Sequence, residues 1–253
     1  MQQSLRHQQI MALARSAERV LVDELVATFE VTPQTIRKDL NELCEAGLLV
    51  RVHGGALLPS GVNNVGYEQR RNMASEEKRL IGQLCAAQIP NNSSLFINIG
   101  TTTEAVAQAL LSHQNLMVIT NNLNVANILI QNSSFEVIIA GGVVRHADRG
   151  VIGEATADFV KQFKLDYAVI GASALDEEGA LLDFDYREVR VTQAILSNAR
   201  ERFLVTDKSK LERTAPVRVG HVSQLTGLFI DSLAHPKLAQ VCAQHGVQVY
   251  RLT

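Results

Sequence analysis

One stretch of the sequence combines residue types that bind phosphate groups in proteins. A strand-like run over residues 95–99 ends at Gly100. The next three residues, which open a helix-like segment, are Thr101, Thr102 and Thr103. Free backbone N–H groups at a helix start, together with hydroxyl groups, bind phosphate, and glycine lets the backbone approach it closely. The alternative is an ordinary helix capped by threonine, and this turn alone does not decide between the two.

Other polar or glycine-containing turns lie next to strand-like and helix-like segments farther along the chain. Ligands of parallel α/β sheets bind outside the carboxyl ends of the strands, so such turns can converge on one crevice. There a lysine would meet a phosphate, and an acidic side chain would accept hydroxyl groups. Each turn taken singly has a plainer interpretation as a turn glycine, a helix cap or a solvated charge. Besides Gly100 and the three threonines, we predict ligand contacts from Asn121, Gly141, Gly153, Asp185, Glu188, Lys208 and Lys210.

The N-terminal segment contains a helix with one side suited to reading DNA. Thr32 and Pro33 predict its start, because threonine caps a helix and proline suits the first turn. Ile36, Leu40 and Leu43 share one apolar stripe, and amide, hydroxyl and basic side chains occupy the other side. A short preceding helix and a following hairpin match a helix-turn-helix with a wing. We predict DNA contacts from Gln34, Thr35, Arg37, Lys38, Asn41, Arg51 and His53.

The alternative is an ordinary amphipathic helix whose basic side chains are merely solvated. Asp39, Glu42 and Glu45 favour that alternative, because carboxylates that face DNA would repel its phosphates. The bulk charge does not favour DNA either, since 24 Lys and Arg stand against 26 Asp and Glu, a net charge of −2. The pattern alone therefore leaves both interpretations open.

The elements that must position these residues fall into two groups, three helices with a hairpin and then an alternation of strands and helices. The alternation predicts a mostly parallel sheet covered by helices. We therefore predict an α/β fold class with a winged helix-turn-helix domain (residues 1–58), a linker (59–74) and a sensing α/β domain (75–253). The predicted strands span residues 95–99, 116–120, 135–140, 167–170, 203–206, 228–230 and 247–250. On the core face of the first helix we predict Leu5, Ile10, Leu13, Ala14 and Ala17.

Composition excludes several classes of protein. The chain has 253 residues, of which 46% are hydrophobic and 20% charged, and this excludes a mostly disordered chain, a collagen and a disulfide scaffold. It has no run of about 18 apolar residues and no apolar signal-peptide core, so we predict a cytoplasmic protein without a membrane partner. Cys44, Cys85 and Cys242 lie far apart without metal-like spacing, and we predict neither a metal nor another cofactor.

A longer pattern covers most of the N-terminal segment. Residues 32–40 read Thr-Pro-Gln-Thr-Ile-Arg-Lys-Asp-Leu, and Leu43, Gly47, Leu48 and residues 53–56 (His-Gly-Gly-Ala) follow. This pattern resembles the winged helix-turn-helix of DeoR-type bacterial repressors. The resemblance implies that Arg37 and Lys38 hold phosphates or bases and that Asp39 is structural. Ala14 departs from the family, which usually has a larger aliphatic residue there.

The remainder of the chain resembles the sensor domain of DeoR-type repressors, which is similar to ribose-5-phosphate isomerase. Residues 100–103, 187–188 and 207–210 resemble the phosphate loop, the place of the catalytic glutamate and the Asp-x-Ser-Lys element of the isomerase. Two isomerase elements are missing: residues 171–175 replace Asp-Gly-Ala-Asp, and residues 181–184 replace Lys-Gly-Gly-Gly. Proton transfer on a sugar needs a positioned carboxylate pair and a lysine, so we expect binding without turnover and no catalytic residues.

The resemblance implies a DNA-binding transcriptional repressor that releases its operator when a phosphorylated metabolite binds. It implies double-stranded operator DNA as one partner, glycerol 3-phosphate as the inducer, and a homo-oligomer, a tetramer. A different hypothesis is a sugar-phosphate isomerase with a DNA-binding appendage. That hypothesis predicts turnover of a pentose phosphate that depends on Glu188.

Overall fold

The computed structural model describes residues 2–17, 19–46, 48–52, 54–57, 64 and 66–252. The chain divides into two compact units, Met1–Ala74 and Ser75–Thr253. Each unit has its own hydrophobic core.

The N-terminal unit is a three-helix core with a small antiparallel sheet. The sheet has the strand order β1-β3-β2, so the first strand, which the sequence did not predict, lies beside the returning strand of the predicted hairpin. Of the predicted linker, residues 59–63 and 65 lie outside the described residues. The elements are α1 (Gln2–Ala17), β1 (Arg19–Leu21), α2 (Val22–Phe29), α3 (Pro33–Glu45), β2 (Val50–Val52), β3 (Gly55–Leu57) and α4 (Tyr67–Asn72).

The core face of α1 differs from the prediction. Ile10 and Ala14 are fully buried, as predicted, and Met11 is buried beside them. Leu5 and Leu13 are 57% and 38% exposed, so their assignment to the core is wrong. Because successive helical residues are rotated by about 100°, a stripe centred on residues 10, 11 and 14 leaves Leu5 on the opposite side and Leu13 outside the stripe. Ala17, also predicted in the core, is exposed.

The second unit is built on seven parallel strands, and all seven predicted strands are present. The order is β15-β14-β12-β9-β4-β5-β6, and every neighbouring pair is parallel. Strands buried on both faces read as continuous apolar runs, which is why the sequence predicts them well. They are β4 (Ser94–Ile97), β5 (Met117–Thr120), β6 (Glu136–Ile139), β9 (Leu165–Ile170), β12 (Ala199–Thr206), β14 (Gly227–Ile230) and β15 (Gln248–Arg251).

Helices cover both faces of this sheet. Three of them, α5, α6 and α7, pack with Leu95, Ile97 and Val118 on one face. The other three, α8, α9 and α10, pack with Phe96 and Ala168 on the opposite face. The helices are α5 (Ser75–Ala86), α6 (Thr101–Leu110), α7 (Leu123–Leu129), α8 (Glu154–Val160), α9 (Tyr186–Ser197) and α10 (Pro236–Gln244).

Two small antiparallel sheets at the carboxyl side of the strands were not predicted. One is the β7–β8 hairpin, formed by β7 (Val143–Arg145) and β8 (Gly150–Ile152). The other has three strands in the order β10-β11-β13. These strands are β10 (Ala174–Leu175), β11 (Ala180–Asp183) and β13 (Val217–His221).

The described residues show three further features that bear on chemistry. Cys44, Cys85 and Cys242 are free and buried, and burial raises the pKa of the Cys85 thiol. None of the described helices is long and apolar enough to cross a membrane. In the same residues, no group of three or more His, Cys, Asp or Glu side chains is arranged to hold a metal ion.

Candidate functional site

Helix α3 begins as the sequence predicted. The Thr32 hydroxyl accepts a hydrogen bond from the Thr35 N–H at 3.2 Å, and Pro33 occupies the first turn. Ile36 and Leu40 are fully buried, and Leu43 is nearly so. Thr35 is half-buried with its hydroxyl 2.9 Å from that of Thr32. The side chains left exposed along the helix include Gln34, Arg37, Lys38 and Asn41.

Asp39, on this helix, faces the interior. It is 1% exposed, and the Arg6 Nε and Nη2 atoms donate to its two carboxylate oxygens at 2.5 and 3.0 Å. The His7 Nε2 atom lies 3.2 Å from the same carboxylate. Burial acts to raise the pKa of Asp39, but the hydrogen bonds from Arg6 and His7 outweigh it and lower the pKa. The acid closest in sequence to Lys38 therefore ties α3 to α1 and does not oppose DNA.

The predicted wing is partly described. Arg51 is exposed on β2, and its Nη1 atom donates to the Gly55 carbonyl at 3.3 Å. Gly54 has φ +75°, which glycine adopts readily in the tight turn between β2 and β3. His53 lies outside the described residues. The basic side chain of Arg51 thus remains available on the surface of the hairpin.

In the second unit, residues 98–100 join β4 to α6 and form what we call the Gly100 loop, which lies where the order of the strands in the sheet changes direction. Strand β4 lies between β9 and β5, and ligands of parallel sheets bind at such switch points, outside the carboxyl ends. Gly100 has φ +154° and precedes α6. The Thr103 hydroxyl donates to the carbonyls of Asn98 and Gly100 at 2.7 and 2.8 Å, which fixes the turn.

The three threonines differ in accessibility. Thr102 and Thr103 are buried, whereas Thr101 is half-buried. Because the Thr103 hydroxyl is committed to two carbonyls, its role in the turn is structural. Thr101 is therefore the member of the three with the side chain most open to a ligand.

Asn121 follows β5 and is held by β8. Its side-chain Nδ2 atom donates to the Val151 carbonyl at 3.0 Å, and its backbone carbonyl accepts a hydrogen bond from the Val151 N–H at 2.7 Å. Because Nδ2 donates to a carbonyl, the orientation of the amide is fixed. Its Oδ1 atom is buried and has no hydrogen-bond partner among the described residues. A buried acceptor of this kind needs a donor from water or a ligand.

The predicted glycines at 141 and 153 lie at the base of the β7–β8 hairpin. The Gly141 carbonyl accepts a hydrogen bond from the Thr156 hydroxyl at 2.8 Å. Gly153 has φ +114° and immediately precedes α8. The hairpin itself packs on the Gly100 loop, because a Cβ at Gly150 would lie 2.3 Å from the Ile99 Cδ1 atom. Gly141 and Gly153 therefore flank the hairpin whose Gly150 packs on the Gly100 loop.

Asp185 and Glu188 meet at an arginine that the sequence analysis missed. The Arg145 Nη1 atom donates to Asp185 at 3.0 Å, and its Nη2 atom donates to Glu188 at 2.5 Å. Arg145 also bonds to Asp148 at 2.9 and 2.6 Å. Burial raises the pKa of Glu188 to about 8, and Asp183 adds to the shift while Arg145 opposes it. The partners are 40 and 43 residues apart, so only the tertiary structure reveals the cluster.

A chain of hydrogen bonds joins this cluster to the Gly100 loop. The Thr192 hydroxyl donates to the Glu188 carbonyl at 3.1 Å and accepts from the Asn98 amide at 2.8 Å. The Asn98 side chain in turn accepts from the Ile99 N–H at 2.7 Å. Neither Asn98 nor Thr192 was predicted, and a polar residue within an apolar strand end is the signal that could have found Asn98.

The two predicted lysines lie farther along the sheet, after β12. Lys208 is exposed, and its backbone N–H donates to Asp231, which follows β14, at 2.7 Å. Lys210 is buried near Asp207. Burial acts to raise the pKa of Asp207, but the charge of Lys210 and a hydrogen bond from Ser209 outweigh it and lower the pKa. The described contacts of Lys208 are therefore with Asp231 and not with the Gly100 loop.

A groove of about 640 Å³ lies between α8 and α9. It contains none of the eleven predicted ligand residues. Its walls include the exposed ion pair of Glu154 with Arg190 at 2.5 Å. The candidate ligand site therefore rests on the carboxyl edge of the sheet and not on this groove.

Two family models match this chain. The DeoR-like helix-turn-helix domain matches residues 6–62, and the DeoR C terminal sensor domain matches residues 73–232. The chain belongs to the DeoR family. Within that family, the glycerol-3-phosphate regulon repressor of Escherichia coli is 48% identical over 249 residues, covering 98% of this chain and 99% of that protein. The protein of that name from Haemophilus influenzae is 51% identical over 229 residues, covering 90% and 89%.

Part of this DeoR-family chain also superposes on solved isomerase structures. Ribose 5 phosphate isomerase A from Neisseria gonorrhoeae aligns with a TM-score of 0.40 and 13% identity, covering 56% of this chain and 54% of that one. A superposition of this quality supports no conclusion about activity.

Proposed function

We propose that this DeoR-family chain is a transcriptional repressor that binds operator DNA and releases it when glycerol 3-phosphate binds the second unit. The observation that carries the proposal is the similarity, over nearly the whole chain, to two proteins named glycerol-3-phosphate regulon repressor. A repressor acts where the chromosome is, so we place the protein in the cytoplasm. The resemblance to DeoR-type repressors also implies a homo-oligomer, and we propose a tetramer, whose symmetry would suit a near-palindromic operator.

For the DNA side, α3 supplies the reading surface and the wing supports it. Arg37 and Lys38 bond phosphates or guanine, and Gln34 and Asn41 bond base edges. We assign supporting contacts to Thr35, Arg51 and His53. The inward orientation of Asp39 supports this assignment, because it removes one negative charge from the DNA-facing side.

For the effector, the Gly100 loop and Thr101 bind the phosphate at the start of α6. The Asn121 Oδ1 atom accepts a hydrogen bond from a hydroxyl group of the ligand. We propose that Thr102 and Thr103 shape the loop. The remaining proposed contacts are Gly141, Gly153, Asp185, Glu188, Lys208 and Lys210.

The decisive test is binding of DNA and ligand together. The full chain is used to select duplexes from a random pool, and fluorescence anisotropy then measures affinity for a selected duplex. Glycerol 3-phosphate should weaken binding by about 5–150-fold, the range of ordinary allosteric coupling. Glycerol and inorganic phosphate serve as controls. Unchanged affinity with saturating glycerol 3-phosphate would refute the effector, and selection of no duplex would refute the repressor.

Replacing Arg37 with alanine should weaken binding to the selected duplex by about 5–150-fold, because one phosphate or base contact contributes about 1–3 kcal/mol. The variant should fold normally, since Arg37 is exposed. Anisotropy measurements at several salt concentrations check this result. Arg200→Ala, which removes an exposed arginine of the second unit, is the control. Equal affinities of parent and Arg37→Ala would show that α3 does not read DNA.

Replacing Thr101 with valine should weaken glycerol 3-phosphate binding at least about tenfold, because a hydroxyl donor to the phosphate is lost. In thermal unfolding, ligand at 100 times its dissociation constant stabilises the parent by about 2.7 kcal/mol. The shift should shrink in Thr101→Val and persist in Thr214→Val, which changes an exposed threonine. Equal shifts in parent and Thr101→Val would show that the phosphate does not bind at the Gly100 loop.

The relatives are repressors, and we propose that the second unit of this chain also binds without turnover. The Arg145 contact supports this, because it occupies a Glu188 oxygen that a proton transfer would use. Incubation of concentrated protein with ribose 5-phosphate tests the point. Formation of ribulose 5-phosphate that disappears in Glu188→Gln would establish an isomerase instead.

A further inference from the structure

Among the described residues, backbone bonds from β8 and from the turn attach the β7–β8 hairpin to the sheet, and the Leu123 N–H donates to the Arg149 carbonyl at 3.1 Å. Strand β8 bonds to the end of β5, where the Val151 N–H donates to the Asn121 carbonyl at 2.7 Å. Strand β7 is the outer strand, and Val143 and Val144 on it are 67% and 43% exposed. Besides its pairing with β8, strand β7 contacts α9 through its third residue, Arg145.

Arg145 contacts carboxylates of two kinds. Asp148 belongs to the hairpin itself and moves with it. Asp185 and Glu188 belong to the start of α9, where Asp185 caps the helix. Of the Arg145 contacts, those to α9 are the ones that cross from the hairpin to another element. The Asp185 contact is an ion pair, the Glu188 contact is a hydrogen bond from the guanidinium, and only about a fifth of the Arg145 side chain is exposed, so both are stronger than contacts on an open surface.

The hairpin covers the Gly100 loop. Gly150 packs on Ile99 so closely that a Cβ there would lie 2.3 Å from the Ile99 side chain. The Asp148 carboxylate lies 3.3 Å from the same Cβ position. The arginine contacts to α9 and the cover over the loop are therefore parts of one short segment, residues 145–150.

We propose that Arg145 is a positioning residue that latches the β7–β8 hairpin to α9 over the Gly100 loop. A small phosphate enters and leaves the loop when the two contacts to α9 and the backbone bonds of Arg149 and Val151 break and the hairpin lifts, while the contact to Asp148 persists. The identity of the ligand rests on the function proposed above. The latch itself does not, because its contacts join residues of the chain to one another.

The first experiment measures the latch without ligand. Hydrogen–deuterium exchange of the amides of residues 143–152 is followed in the parent and in Arg145→Gln. Loss of the two contacts should speed exchange in this segment at least about tenfold, while α5 and α6 keep their rates. The matched control is Arg187→Gln, since Arg187 pairs with the same Asp185 at 3.1 Å but does not reach the hairpin. Asp185→Asn, which retains a capping side chain, should reproduce part of the effect.

Two results would overturn the latch. One is unchanged exchange of residues 143–152 in Arg145→Gln. The other is acceleration of equal size in α5 and α6, because Arg145 would then support the whole unit and not the hairpin.

The second experiment measures passage of the ligand. Phosphorus NMR of glycerol 3-phosphate in exchange with the full chain gives its dissociation rate. The rate should rise at least about tenfold in Arg145→Gln, with a smaller change in Kd, because a gate alters entry and exit together. An unchanged rate beside a faster-exchanging hairpin would overturn the gating role. Absence of any glycerol 3-phosphate binding to the parent would refute the proposed effector, and amide exchange would still decide the latch.

Discussion

Replacing Asp39 with alanine is expected to release α1 from α3 and abolish tight operator binding. The change removes three contacts to Arg6 and His7 and leaves a hole beneath the reading helix. Hydrogen bonds to charged groups are worth about 1.5–3 kcal/mol each, and both partners can regain water in part, so we expect a loss of about 2–4 kcal/mol. That is a large fraction of the stability of a small domain. Amide exchange of residues 2–46 and anisotropy with the selected duplex measure it.

Controls separate this effect from a general loss of charge. Asp23→Ala removes an exposed acid from the first turn of α2 and should cost at most about 1 kcal/mol. Because the pKa of Asp39 is lowered, its stabilising effect is present above the ordinary carboxyl range near 4 and is lost as pH falls. Parent and Asp39→Asn should therefore differ at pH 7 and converge in acid. A difference that persists in acid would show that packing, and not charge, holds α1.

Replacing Glu188 with glutamine is expected to make the second unit more resistant to alkaline pH than the parent. Burial and Asp183 raise the pKa of Glu188 to about 8, far above the ordinary glutamate value. The folded parent therefore keeps a proton that the unfolded chain loses. This contribution is complete below the unfolded pKa and disappears as pH rises through 8. At about 1.4 kcal/mol for each unit of pKa difference, the parent should lose on the order of 3–5 kcal/mol between pH 5 and 9.

Urea unfolding of parent and variant at several pH values measures this difference. The glutamine variant has no proton to lose at this position and can still accept a hydrogen bond from Arg145. The control is Glu154→Gln, because Glu154 is 79% exposed and its exposed partner is Arg190. Parallel stability curves for parent and Glu188→Gln would mean that Glu188 is ionised throughout this range.

The sequence was most informative where burial imposes a simple pattern. The seven parallel strands read as apolar runs because both faces are covered, and α3 was predicted with its cap because Thr32 and Pro33 have local roles. The first helix was less predictable. Its core stripe includes His7 and Arg6 at the margin, which bond to Asp39, so polarity did not separate the inner face from the outer one.

The candidate ligand site could be predicted only in part. Turns after strands predicted the Gly100 loop and Asn121, because strand ends of a parallel sheet share an edge. The β7–β8 hairpin was missed because its strands are three residues long and two residues of β7 face outward. Arg145 joins Asp185 and Glu188 across 40 and 43 residues, and no spacing rule connects positions so distant.

The strand order also bears on the kinetics of folding. Strand β4 meets β5 across 23 residues, as in the bond from Thr120 to Ile97, but it meets β9 across 72, as in the bond from Ser94 to Asp166. Distant pairings form late because a long loop must close first. The junction of β4 with β9 should therefore be incomplete in the transition state. A ligand held at that junction should slow unfolding while leaving the folding rate unchanged, and so lengthen the lifetime of the folded chain more than it speeds its formation.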